Sequence, residues 1–145
     1  MQESQHFFLD TYESVSEDEI SSLLFQLAPG DRIFFSGDLW SGKSTFIRAL
    51  LRWHFHDERL IVRSPTYTYY QKYGENIYHF DLYRIDTFED IFLIGASDIL
   101  DDPHTICLIE WPEILGTSVI PTKKISLSRE NMWARNYRVE SQKKP

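Results

Sequence analysis

Cysteine is almost missing from this 145-residue sequence, with Cys107 standing alone. That excludes a disulfide framework and a cysteine-built metal cluster. No apolar run approaches the ~18 residues that cross a membrane, so no membrane partner is expected. Met1-Gln2-Glu3-Ser4 lacks the basic start and long apolar stretch of a signal peptide, and a cytoplasmic location is the expectation. Repeats and low-complexity stretches are absent as well, and a length of 145 residues predicts a single domain over 1–145. Positive charge is scarce: 15 Lys and Arg stand against 22 Asp and Glu, for a net charge of −7. This argues against a stand-alone nucleic-acid binder. The scarcity is uneven, because residues 121–145 hold 7 basic and 2 acidic side chains, ending in a basic tail from about residue 140. Such a segment leaves open a transient or indirect contact with RNA or an acidic partner surface, although solvated strand and tail charges explain the same pattern.

The chain is rich in rings, at 15% aromatic, which predicts a core built on them. Its organising stretch is Gly37-Asp38-Leu39-Trp40-Ser41-Gly42-Lys43-Ser44, which fits G-x-x-x-x-G-K-[ST], a phosphate-binding loop. Arg32-Ile33-Phe34-Phe35-Ser36 before it reads as a buried strand. Thr45 to Trp53 after it reads as a helix, with Phe46, Ile47, Leu50 and Leu51 on one face. Strand, glycine loop and helix are the context in which backbone N–H groups converge on phosphate at a helix N-terminus. Lys43 then supplies charge for the β- and γ-phosphates, and Ser44 offers a hydroxyl to Mg²⁺. Trp40 departs from the small residue common at its position; it either points outward or crowds the loop.

The remaining elements follow from patterning. His6-Phe7-Phe8-Leu9 reads as a first strand. Ser16 and Glu19 form a capping box that opens a helix with Ile20, Leu23, Leu24 and Leu27 as its stripe. Ala28-Pro29-Gly30-Asp31 stops it. His54 and His56 lie two apart, the wrong spacing for a same-face metal pair on a helix. Ile61-Val62-Arg63 reads as a short strand interrupted by Ser64-Pro65-Thr66. Residues 67–73 and 77–82, split by Gly74-Glu75-Asn76, predict an aromatic β-hairpin. Asp86 to Ile94 predicts a helix weakened or ended by Gly95. Thr105 to Glu110 predicts an apolar strand, and 124–127 and 137–139 predict final, more solvent-facing strands.

A phosphate loop needs further oxygen ligands for Mg²⁺ and an acceptor that orients water. In open α/β sheets these stand at the carboxyl ends of strands beside the loop. Glu110, closing Ile106-Cys107-Leu108-Ile109, reads as a Walker B acid; Asp81, closing Ile77-Tyr78-His79-Phe80, is the second candidate. Ser64 and Thr66 lie where a nucleotide-sensing segment would contact the γ-phosphate, and they also suit an ordinary turn. Arg84 is expected to pair with Asp81 or Asp86, with neutralisation of transition-state charge as the other option.

Together these segments resemble the bacterial TsaE family, also called YjeE, small ATPases of tRNA threonylcarbamoyladenosine modification. The family strings G-D-L-G-A-G-K-T, S-P-T-F, H-F-D-L-Y-R and I-E-W correspond to residues 37–44, 64–67, 79–84 and 109–111, and P-G-D to 29–31. The resemblance covers about residues 6–127. It implies a P-loop NTPase α/β three-layer sandwich with a mixed central sheet, ATP and Mg²⁺ as ligands, and TsaB and TsaD homologues as partners, with tRNA contact indirect or transient. By position, residues Gly37 to Thr45 would hold nucleotide, Lys43 the phosphates, and Ser44, Glu110 and Asp81 the metal. Asp81, Glu110 and Lys43 would carry catalysis, and Trp111 would lie beside the site. Trp40 and Ser41 depart from the family's Gly and Ala, and Ser44 replaces Thr. That loop change motivates an alternative: a nucleotide-binding interaction module with little or no turnover. A small-molecule kinase is a third reading, disfavoured because little chain remains for a lid and acceptor pocket.

Overall fold

The structure is a computed structural model that describes residues 7–143. Seven strands form one sheet: β1 (Phe7–Ser16), β2 (Arg32–Ser36), β3 (Tyr70–Tyr73), β4 (Ile77–Asp81), β5 (Ile106–Glu110), β6 (Lys123–Arg129) and β7 (Ala134–Gln142). Their spatial order is β1-β7-β6-β2-β5-β4-β3. The central four, β6, β2, β5 and β4, run parallel, while β7 and β3 run antiparallel to their inner neighbours. The expected mixed sheet is therefore present.

Apolar residues on both faces of β2 and β5 explain why these strands are central. Ile33, Phe35, Ile106 and Leu108 join one core cluster, and Phe34, Cys107 and Ile109 join another on the opposite face. Side chains alternate across a strand, so a buried strand must be apolar throughout. Helix α1 (Lys43–Phe55) covers the first face through Phe46, Ile47, Leu50 and Leu51, all at most 1% exposed. Burying each such side chain contributes about 2 kcal/mol relative to leaving it in water. Two short helices, α2 (Glu89–Leu93) and α3 (Ala96–Asp101), cover the other face with Ile91, Ala96 and Leu100. Helix, sheet and helices make the expected three-layer α/β sandwich.

Arg32 ties the lower end of this assembly together. Its buried guanidinium donates to the carbonyls of Leu100 and Asp102 at the end of α3 and of Thr105 before β5. The planar fork satisfies several carbonyls that would otherwise lack donors.

Several local expectations are corrected. The helix predicted from Ser16 through Leu27 is a seven-residue 3₁₀ helix, Glu17–Leu23, although its capping box is present. Leu24 is extended, and Pro29 disfavours helix at Ala28, so the segment crosses the core edge as an irregular chain with Leu27 buried. Residues 61–63 join no ladder among the described residues; the backbone N–H of Arg63 instead donates to the Tyr73 hydroxyl at 3.2 Å. The hairpin strand begins at Tyr70 rather than Tyr67, because Tyr69 closes a turn onto the Pro65 carbonyl with φ 69°. Gly95, at φ 78°, separates two helices, and α3 was not anticipated.

At the other edge, β1 extends well past Leu9 and pairs along β7, with a register shift between Tyr12 and Val15. His6 lies outside the described residues. The last strand reaches Gln142, so residues 140–142, read as the start of a basic tail, pair with β1.

Candidate functional site

The parallel order β6-β2-β5 leaves a crevice above the carboxyl end of β2, where neighbouring connections leave in opposite directions. The glycine loop fills that position. Gly37 at φ 148° and Gly42 at φ 104° adopt backbone conformations that L side chains rarely reach. A Cβ on Gly37 would fall 2.5 Å from the Leu127 carbonyl oxygen and 2.6 Å from Ser41 Oγ. Gly37 to Thr45 form one continuous turn into α1, so all nine predicted nucleotide-contacting positions share one place.

Lys43 opens α1, and its ammonium is held by the Gly37 and Asp38 carbonyls. It also stands 4.2 Å from the centroid of the Trp111 ring. Burial pushes its pKa below the ordinary lysine range, while the charges of Glu110, Asp81, Glu113 and Asp38 pull it back up. Those charges place both predicted acids within electrostatic reach of the lysine. Ser44 is exposed at the next position, and its hydroxyl has no hydrogen bond among the described residues.

Asp81 and Glu110 end adjacent parallel strands and are directly paired in register. Both are buried. Asp81 accepts from the Thr66 hydroxyl at 3.1 Å and from the Tyr83 N–H at 3.0 Å. Thr66 lies 2.7 Å from Ser64 Oγ, so the Ser64-Pro65-Thr66 turn is linked to Asp81. Glu110 Oε2 lies 2.7 Å from His79 Nε2. Next to Glu110, Trp111 is left-handed at φ 56°, and its ring contacts Tyr83 at 4.7 Å between centroids.

Arg84 departs from expectation. Among the described residues it pairs with neither Asp81 nor Asp86; its guanidinium lies 4.6 Å over the Tyr67 ring. A planar cation stacks favourably on an aromatic face, and Tyr67 was available because the turn holds it out at 80% exposure. Trp40 is likewise 80% exposed, so its side chain does not fill the loop.

Three contributors were not recognised from the sequence. Arg129 donates to the Trp40 carbonyl at 3.2 Å, and Arg135 to the Ser41 carbonyl at 2.8 Å. Both come from the β6–β7 hairpin, far along the chain, and no local pattern announces them. His79 carries a readable signal: two residues before Asp81 on one strand, it must share that acid's face. Beside the loop, a cavity of about 370 Å³ is lined by Val15, Gly42, Thr45, Met132, Trp133 and Arg135.

The sequence profile of "Threonylcarbamoyl adenosine biosynthesis protein TsaE" matches residues 12–138. A tRNA threonylcarbamoyladenosine biosynthesis protein TsaE from Haemophilus influenzae is 40% identical over 96 residues, which are 64% of this chain and 58% of that protein. The protein of the same name from Rickettsia felis is 36% identical over 107 residues, 71% of this chain and 61% of that one. The matched stretch thus spans less than two thirds of the length of these two relatives. The crystal structure of Bacillus subtilis YdiB superposes with a TM-score of 0.64 at 20% identity, covering 94% of this chain and 88% of that one, a likeness of fold.

Proposed function

The chain belongs to the TsaE family, and from that premise we propose that it is a Mg²⁺-dependent ATPase serving threonylcarbamoyladenosine modification of tRNA, in the cytoplasm, with TsaB and TsaD homologues. The observation that supports it most is the register pairing of Asp81 with Glu110 beside the loop that carries Lys43.

In this reading Lys43 leaves the Gly37 and Asp38 carbonyls for the β- and γ-phosphate oxygens, whose charge replaces those neutral acceptors. Loop N–H groups and the start of α1 supply the rest of the phosphate cradle. The donor set fits a hard, oxygen-ligated cation: the Ser44 hydroxyl and Glu110 Oε1 have no hydrogen bond among the described residues. Mg²⁺, bound with the nucleotide, would neutralise charge developing on the phosphate oxygens. Asp81, held by Thr66 and Tyr83, would assist the metal or accept a hydrogen bond from the attacking water. The cavity beside Gly42 and Thr45 has room for base and ribose, with Trp133 as an aromatic wall.

The reading of a module without turnover rested on Trp40 standing in the loop; the ring is exposed and does not crowd it, which supports the ATPase. Co-purification with TsaB and TsaD homologues, with and without ATP, tests the proposal. A nucleotide-dependent complex that Lys43→Ala abolishes is expected. No complex under either condition would contradict the pathway assignment.

A further inference from the structure

We propose that His79 is a positioning residue that fixes the Glu110 carboxylate for its task, a role that rests on the ATPase reading above. His79 lies on β4 and is 1% exposed; Glu110 ends the neighbouring β5 and is 3% exposed. Nε2 of the imidazole stands 2.7 Å from Oε2 of the carboxylate. The other ring nitrogen, Nδ1, is fully buried and has no hydrogen-bond partner among the described residues.

That pairing sets which nitrogen carries the proton. An ionised carboxylate only accepts, so Nε2 must donate. The N–H of Nε2 is therefore aimed at Glu110.

The consequence is orientation. A glutamate has three side-chain torsions, and an untethered one must be ordered each time it engages its ligand. His79 ties down Oε2 in advance, which leaves Oε1 as the oxygen with no hydrogen bond among the described residues. The two carboxylates at the strand ends are thereby held by different donors. Thr66 and Tyr83 hold Asp81, and the imidazole holds Glu110. Such outer contacts to a ligating side chain commonly tune a site by tenfold or more.

The test measures steady-state ATP hydrolysis with Mg²⁺ for the wild type, His79→Leu, His79→Gln and Glu110→Gln, and for His79→Leu combined with Glu110→Gln. His79→Leu should lower kcat about tenfold while KM for ATP stays within about twofold. His79→Gln, whose side-chain amide can donate from nearly the same point, should recover most of the rate. In the Glu110→Gln background, His79→Leu should cost nothing further. Wild-type kcat in a folded His79→Leu protein, or an equal loss in both backgrounds, would overturn the proposal. If Glu110→Gln is inactive while His79→Leu is fully active, only the role of His79 falls. If Glu110→Gln hydrolyses at the wild-type rate, the assignment of Glu110 falls and His79 with it. Should His79→Leu not fold, ¹⁵N NMR of the imidazole in the wild-type protein decides: a hydrogen on Nε2 is expected, and an Nε2 that carries no hydrogen would overturn the proposal.

Discussion

Arg135 donates through Nε to the Ser41 carbonyl at 2.8 Å, joining β7 to the glycine loop across 94 residues of sequence. The same guanidinium approaches Gly42, where an added Cβ would meet Nε at 3.0 Å. The loop is thus shaped from outside as well as by its own glycines. A charge-assisted hydrogen bond contributes about 1.5–3 kcal/mol, and part of this stabilises the loop conformation. Arg135→Ala should therefore weaken ATP binding about tenfold, read by isothermal titration calorimetry. Unchanged affinity would mean that the loop holds its shape without the hairpin.

Trp40 provides a sharper contrast. Because the ring is exposed and only its backbone carbonyl is held, by Arg129, replacing it should not relieve strain. Trp40→Gly should hydrolyse ATP within about twofold of the wild type. A large gain in rate would revive the reading in which this residue suppresses turnover.

Arg32 acts at the opposite end of the sheet from the loop. Arg32→Met leaves the carbonyls of Leu100, Asp102 and Thr105 short of donors and should destabilise folding by about 3 kcal/mol. Urea unfolding checks the loss, and KM for ATP should stay unchanged in the folded variant. A normal unfolding midpoint would show that water replaces the guanidinium at little cost.

Lys43 gives a pH dependence with a definite sign. Burial lowers its folded-state pKa beneath its unfolded value, so between the two the unfolded chain binds more protons. Stability then gains a rising contribution as pH climbs through that window, just below and into the ordinary lysine range. Lys43→Met removes the contribution, and the difference between wild-type and variant unfolding free energies should change with pH in that direction. A pH-independent difference would contradict the lowered pKa.

Legibility in the sequence followed the range of the interaction. The loop, its flanking strand and α1 were readable because Gly37, Gly42 and the 46-47-50-51 stripe are local signals. Asp81 and Glu110 were readable as acids ending apolar runs, and the parallel pairing of β4 and β5 brings them side by side. The segment from Ser16 to Leu27 misled because its apolar spacing suits a helix, while Pro29 disfavours helix at Ala28 and the chain turns extended at Leu24, with Leu23, Leu24 and Leu27 still packed in the core. Arg84 misled because opposite charges nearby are easily counted, whereas the Tyr67 ring reaches it only through the turn at Thr66–Tyr69. Arg129 and Arg135 carried no local signal at all. Their function exists only once β6 and β7 fold back against the loop.

The most direct test of the central claim is single-turnover hydrolysis of Mg-ATP by this protein with TsaB and TsaD homologues, comparing the wild type with Glu110→Ala. The account predicts hydrolysis by the wild type and a rate at least tenfold lower in the variant, a barrier increase of about 1.4 kcal/mol or more, with ATP still bound. A wild type that binds ATP but never hydrolyses it, even with both partners present, would contradict the account.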